Sequence, residues 1–372
     1  MSTRKYASAA LASLAVSLIV AAPAFAQMTV ALGGRIQVDA TEFNDDEANL
    51  NSGTEFRRAR LFAEGDIADN WSYKAQYDFA GNSTTMKDAY IRYSGFNFGK
   101  ITIGQFKQEF GLEELTSSKY ITFIERTSPT EAFALSRRIG IGLSGDADRW
   151  HYAFSAFGQE ESDSEGADEG YGFAGRVTWA PQIGDNSFLH FGGAANWQQP
   201  TSRDDETWRV RARPEAHQSN VRFVDTGTLT DVDDIVTYGV EGAGVFGPWS
   251  IQGEWMGQSV NGDGEEPDLT GYYVYGSWFL TGESRAYKGG KFGRTKATNA
   301  WELAVRYSDT DLEDGDVLGG EQKNITLAVN YYVNPYLRFM FNYVAIDADP
   351  PAGGGPQDEP GAFIVRAAMD FK

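Results

Sequence analysis

Residues 54–81, TEFRRARLFAEGDIADNWSYKAQYDFAG, alternate one by one between two environments. Ala59, Leu61, Ala63 and Ile67 share one parity; Arg58, Arg60, Glu64 and Asp66 share the other. Beyond Asp69-Asn70, Trp71, Tyr73, Tyr77 and Phe79 alternate with Lys74, Gln76 and Asp78. A period of two belongs to an extended strand whose faces meet different surroundings. The same pattern recurs near 28–41, 85–95, 98–107, 137–146, 149–159, 170–180, 187–199, 234–246, 249–260, 270–281, 300–309, 322–333, 336–346 and 361–371. With the opening pair this makes about sixteen strands, an even number. The period never switches to 3.6 for long, so the chain reads as all-β with no internal domain boundary.

The connections alternate in length. Asp69-Asn70, Phe96-Asn97, Ala147-Asp148, Gly247-Pro248 and Asn334-Pro335 are tight, and those between them are mostly long. Short turns on one rim and long loops on the other describe a transmembrane antiparallel β-barrel of the outer-membrane type. Trp71, Trp150, Trp179, Trp249, Trp301 and Tyr336 fall close to the short-turn rim, the pattern of an interfacial aromatic girdle. Closure satisfies every backbone donor and acceptor in lipid, which an open sheet cannot do. One connection breaks the scheme: 282–299 belongs on the short-turn rim yet is long and basic.

Residues 1–26 carry Arg4 and Lys5, an apolar run from Leu11 to Val20, and Ala24-Phe25-Ala26 before Gln27. This predicts a secretory leader, removed to leave a barrel domain of residues 27–372. No other apolar run approaches the roughly 20 residues of a membrane helix. Losing Arg4 and Lys5 takes the formal charge from -20 to -22, too acidic for nonspecific binding of nucleic acid. There are no cysteines, so neither disulfides nor thiol chemistry enter. Acidic residues cluster in 42–47, 160–169, 263–268, 309–321 and 347–359; these read as a solvated outer rim, with a calcium or magnesium site as the sharper alternative, although no loop shows the ligand spacing of a Ca loop. Two G-x-G-x-x-G matches, 170–175 and 242–247, read as glycines of curved strands, because neither opens a helix after a strand. His151, His190 and His217 are scattered and form no catalytic or metal motif, so no enzyme, metal or cofactor is expected.

The segment 108–136 is the exceptional loop, long and partly helical by the spacing of Leu112 and Leu115. A loop this long in a compact barrel is usually functional. It is the third connection on the long rim. Folded inward it would bring Lys119 to a constriction; the alternative is an external flap.

Several blocks in one order carry a family resemblance: Phe56-Arg57-Arg58-Ala59-Arg60, residues 74–81, Lys87-Asp88-Ala89-Tyr90-Ile91, Gly104-Gln105-Phe106-Lys107, residues 110–123, Ser136-Arg137-Arg138-Ile139-Gly140 and Leu280-Thr281-Gly282-Glu283. The chain resembles the phosphate-selective porins O and P of Gram-negative outer membranes. The resemblance implies a sixteen-stranded homotrimeric porin in outer-membrane lipid, with an inward-folded third loop and passive, anion-preferring passage of inorganic phosphate, polyphosphate or other small anions. Carried over by position, Arg35, Arg58, Arg60, Arg209, Arg211 and Arg213 correspond to an arginine ladder, and Lys74, Asp88 and Lys119 to a central site. Arg57 belongs to the same motif but has the opposite parity to Arg58. Guanidinium forks match phosphate oxygens and stay charged. A general porin without phosphate preference stays open as an alternative; a surface adhesin is more distant.

Overall fold

The computed structural model describes residues 28–44, 47–81, 84–158, 170–200, 206–352 and 357–372. The expected leader, residues 1–26, and the acidic run 160–169 lie outside them.

The alternating stretches form sixteen barrel strands. In the first half these are β1 Ala31–Asn44, β2 Gly53–Ala68, β3 Trp71–Asp78, β4 Thr85–Phe96, β5 Gly99–Lys107, β6 Arg137–Ala147, β7 Trp150–Phe157 and β8 Gly172–Trp179. The second half comprises β9 Ser187–Gln198, β10 Val232–Phe246, β11 Trp249–Gly262, β12 Asp268–Phe279, β13 Ala300–Asp314, β14 Val317–Asn334, β15 Leu337–Asp349 and β16 Gly361–Phe371. Each pairs antiparallel with the next, and β1 pairs with β16 from Gly34↔Phe371 to Asn44↔Gly361, closing the ring. A three-residue piece, Gln182–Gly184, adds to the start of β9. Both G-x-G-x-x-G matches fall on or beside strands, β8 and β10.

Burial follows the alternation, with polarity reversed relative to a soluble sandwich. Along β15, Arg338, Met340, Asn342, Val344 and Ile346 are buried while Phe339, Phe341 and Tyr343 are exposed. Outside, Leu61, Ile91, Ile103, Ile141, Phe154, Val240, Ile251, Val305 and Leu327 stand 41–58 % exposed. So continuous an apolar exterior is compatible with lipid rather than water. All six aromatics expected at the short-turn rim are exposed, and they pair along it: Trp71 with Tyr93, Trp150 with Trp179, and Trp249 stacked on Trp278 at 4.5 Å. Among the described residues no helix is long and apolar enough to cross a membrane.

Three departures from simple alternation shape the interior. A β-bulge in β2 leaves Arg57 unpaired between Phe56↔Val38 and Arg58↔Gln37. The extra residue turns Arg57 to the same side as Arg58, against its parity. The acidic run 309–321 is not a long loop: β13 and β14 continue pairing to Asp314↔Val317 around a turn at Gly315-Asp316, Gly315 having φ 58°. Buried Leu312 and Val317 hold this extension by packing into apolar clusters with Phe133 and Leu229, respectively. Finally, 282–299 turns back as a miniature hairpin in which Tyr287 pairs with Phe292 and Lys288 with Lys291. Gly289 and Gly290, at φ 57° and 72°, supply the left-handed turn that joins them. Phe292 clusters with Leu112 and Val245, tying the hairpin to the segment 108–136 and the wall.

Candidate functional site

The segment 108–136 contains two short helices, α1 Leu112–Leu115 and α2 Ser128–Phe133. Its hydrogen bonds go to inward-facing side chains of one wall. On β11, the Glu254 carboxylate accepts from the backbone N–H groups of Leu112 and Glu113, both at 2.7 Å, supplying the N-terminal partners that α1 lacks. Arg306 on β13 donates to Glu113 at 3.3 Å and to the Glu125 carbonyl at 3.1 Å. Asn330 on β14 donates to the Thr122 carbonyl, Arg338 on β15 to that of Ile121, and Arg366 on β16 to that of Ile124. On β1, Gln37 donates to the Ser118 carbonyl. Irregular backbone cannot stay buried unpaired, and here polar side chains of the wall satisfy it.

Glu125 sits among three guanidiniums. It accepts a two-pronged fork from Arg57, 2.9 Å to each oxygen, and a bond from Arg366 at 2.6 Å, with Arg58 3.7 Å away. Burial alone would raise its carboxyl; Arg57, Arg58 and Arg366 outweigh that and hold it well below the usual carboxylate range. Glu114 shows the same balance, burial opposed by Arg126 and Lys107, with a net lowering. The connection 206–231 reaches the same wall through Glu215, which is buried at φ 56°. Its carboxylate accepts from Ser308, Thr326 and Arg306.

Between these segments and strands β2–β7 lies a cavity of about 860 Å³ lined by fifteen Arg and Lys side chains against seven carboxylates. Of the residues singled out in the sequence, Arg35, Arg58, Arg60, Lys74, Asp88, Lys119 and Arg213 line it; Arg209 and Arg211 do not. Most are partnered. Arg60 meets Asp78 at 2.6 Å, Lys74 meets Glu64 at 3.2 Å, Arg137 meets Asp88 at 2.6 Å, and Lys119 stands 3.6 Å from Asp370. Arg35 bonds the Ser118 hydroxyl at 2.5 Å. Arg209 forks onto Asp225, and Arg213 pairs with Glu131. The every-second spacing is real: Val210 and Ala212 are buried between Arg209, Arg211 and Arg213.

The sequence reading passed over several cavity residues. Lys100, Lys107, Arg126 and Arg137 line it, as do Lys288 and Lys291 from the miniature hairpin. Lys100, on an inward position of β5, was within reach of the parity rule; the hairpin lysines were not, because nothing local shows that a turn folds back. Among the described residues, Arg35, Lys100, Lys288 and Lys291 meet no carboxylate within 4 Å. His190 is fully buried, with Nε2 2.9 Å from Glu241 and Nδ1 2.5 Å from the Tyr287 hydroxyl, so it joins the hairpin to the wall. Among the described residues no group of three or more His, Asp or Glu is placed to hold a metal.

Comparisons with known proteins converge. A family described as "Phosphate-selective porin O and P" matches residues 30–352. The chain is 32 % identical to a Caulobacter vibrioides protein, covering 91 % of this chain and 73 % of that one. It is 27 % identical to Porin O of Pseudomonas aeruginosa, covering 91 % and 88 %. Its fold is similar to that of an anion-selective porin from Comamonas acidovorans, with TM-score 0.57, 12 % identity, and coverage of 93 % and 100 %.

Proposed function

The chain belongs to the phosphate-selective porin O and P family, a barrel of the Gram-negative outer membrane, and from that premise we propose that it is a passive, anion-preferring channel for inorganic phosphate. One observation carries the proposal: a chain of formal charge -20 surrounds its lumen cavity with fifteen Arg and Lys side chains against seven carboxylates. The segment 108–136 is the constriction of this pore. Arg35, Arg58, Arg60, Lys74, Asp88, Lys119 and Arg213 form the anion path within, and Arg209 and Arg211 belong to its mouth. A channel must bind well enough to replace hydration and weakly enough to release. Paired cations in series serve this, because each carboxylate partner limits how deep its site becomes. A Debye length near 8 Å at physiological salt is comparable to a narrow pore radius, so the acidic exterior need not cancel the lumen field. Cleavage after Ala26 and assembly as a homotrimer belong to the same reading.

The pairing of Arg60, Arg209 and Arg213 with carboxylates is the observation that favours the second reading, an anion-tolerant general porin without phosphate preference. Reversal potential in a chloride gradient and inhibition of chloride current by phosphate separate them. The expected result is anion selectivity with phosphate block at low concentration. Anion selectivity without block leaves the general porin; cation selectivity refutes both.

A further inference from the structure

We propose that Glu125 is a built-in counter-anion that occupies an oxyanion seat in the pore and thereby sets how long a passing anion is held. Arg57 presents its fork to both carboxylate oxygens, Arg366 adds a third donor, and Arg58 closes on the same carboxylate at 3.7 Å. Guanidinium forks match the oxygens of phosphate as they match those of a carboxylate, and such charge-assisted pairs are among the strong hydrogen bonds of proteins. Here the oxyanion is the protein's own.

The seat opens to the lumen. Arg57, Arg58 and Glu125 line the cavity, and the side chains of Arg57 and Glu125 are 18 % and 12 % exposed. The Arg58 Nε is buried without a partner, so the cluster has donor capacity beyond what Glu125 takes. Among the described residues only Arg366 of the three has a second carboxylate in ion-pair reach, Asp39, which it grips with two bonds of 2.7 and 2.6 Å. Without Glu125, three guanidiniums would share that single carboxylate, and a passing dianion would meet a deep well. The β2 bulge is part of the device, since without it Arg57 would face lipid.

This inference rests on the anion-channel reading, and the test keeps the two apart. Purified channels of the wild type and of Glu125→Gln are compared in planar bilayers for the dwell time of inorganic phosphate blocks in chloride and for the permeation rate of an uncharged sugar. The expected result is a phosphate dwell lengthened about tenfold, the worth of one charge-assisted hydrogen bond. Adding Arg57→Ala to that variant should abolish the lengthening. A loop merely loosened would speed the sugar and shorten the dwell, which overturns the proposal, as does an unchanged dwell. If Glu125→Gln yields no channels, Glu125→Asp, still charged but one methylene shorter, should lengthen the dwell severalfold; an unchanged dwell there again overturns it. A wild type that phosphate does not block at all overturns this inference and the phosphate reading together, whereas a blocked wild type with an unaltered variant overturns this inference alone.

Discussion

Arg366 on β16 and Arg60 on β2 both point inward from a barrel strand, and their surroundings separate two walls of one lumen. Along β11–β16 the inward groups are covered: Arg306 and Arg366 are at most 1 % exposed, and each bonds carbonyl and carboxylate groups of the segment 108–136. Along β2–β7 the cations Arg60, Lys74, Lys100 and Arg137 line open space. The same residue types thus bond a loop on one wall and line an open cavity on the other. What decides between the roles is whether a second layer of chain packs over them, because a guanidinium cut off from water leans on protein partners while one in a wet cavity keeps its hydration.

The largest test removes the covering layer. Deleting residues 112–131 should raise single-channel conductance severalfold in barrels that still assemble; unchanged conductance would place the segment outside the pore. The next breaks the comparison residue by residue. Arg366→Ala leaves Asp39 and Glu125 short of their shared cation, and breaking a buried pair costs about 3–5 kcal/mol, so thermal unfolding of the folded barrel in detergent should shift clearly downward. Lys100→Ala on the open wall should leave that transition in place and lower anion selectivity instead. Equal thermal shifts for the two variants would dissolve the distinction.

A smaller effect is expected at the mouth. Replacing Arg209, Arg211 and Arg213 together with Ala should weaken phosphate block modestly, since two of the three are already paired, and the change should fade as salt is raised. An effect larger than that of Lys119→Ala would put the principal site at the mouth rather than the constriction. The smallest expected response is to acid. The Glu125 and Glu114 carboxyls are held below their ordinary range, so their stabilisation is fully present above the unfolded carboxylate pKa, declines below it, and is gone once pH has fallen through the depressed folded value. Conductance should therefore stay loop-restricted at neutral pH and rise as the solution is taken to strong acid; a conductance unchanged there would show that these carboxylates do not hold the loop.

Strand number, strand positions, the in–out assignment of most side chains and the short-turn aromatic rim were all legible in the chain itself. Each depends on a period of two and on turn residues, signals that a lipid exterior and a polar lumen impress on every strand separately. The tertiary structure alone decided what the lumen does with its charges. Arg57 faces inward only because β2 carries an unpaired residue opposite β1, and no parity count reveals a bulge. Lys288 and Lys291 reach the cavity only because 282–299 folds back against Leu112, nearly 180 residues away along the chain. Which arginines are taken up by Glu113, Glu125 and Glu215, and which face the cavity, depends on contacts between segments remote in sequence. Periodicity is local and can be read in a line; pairing of charges depends on closure of the ring and exists only once the walls and loops have met.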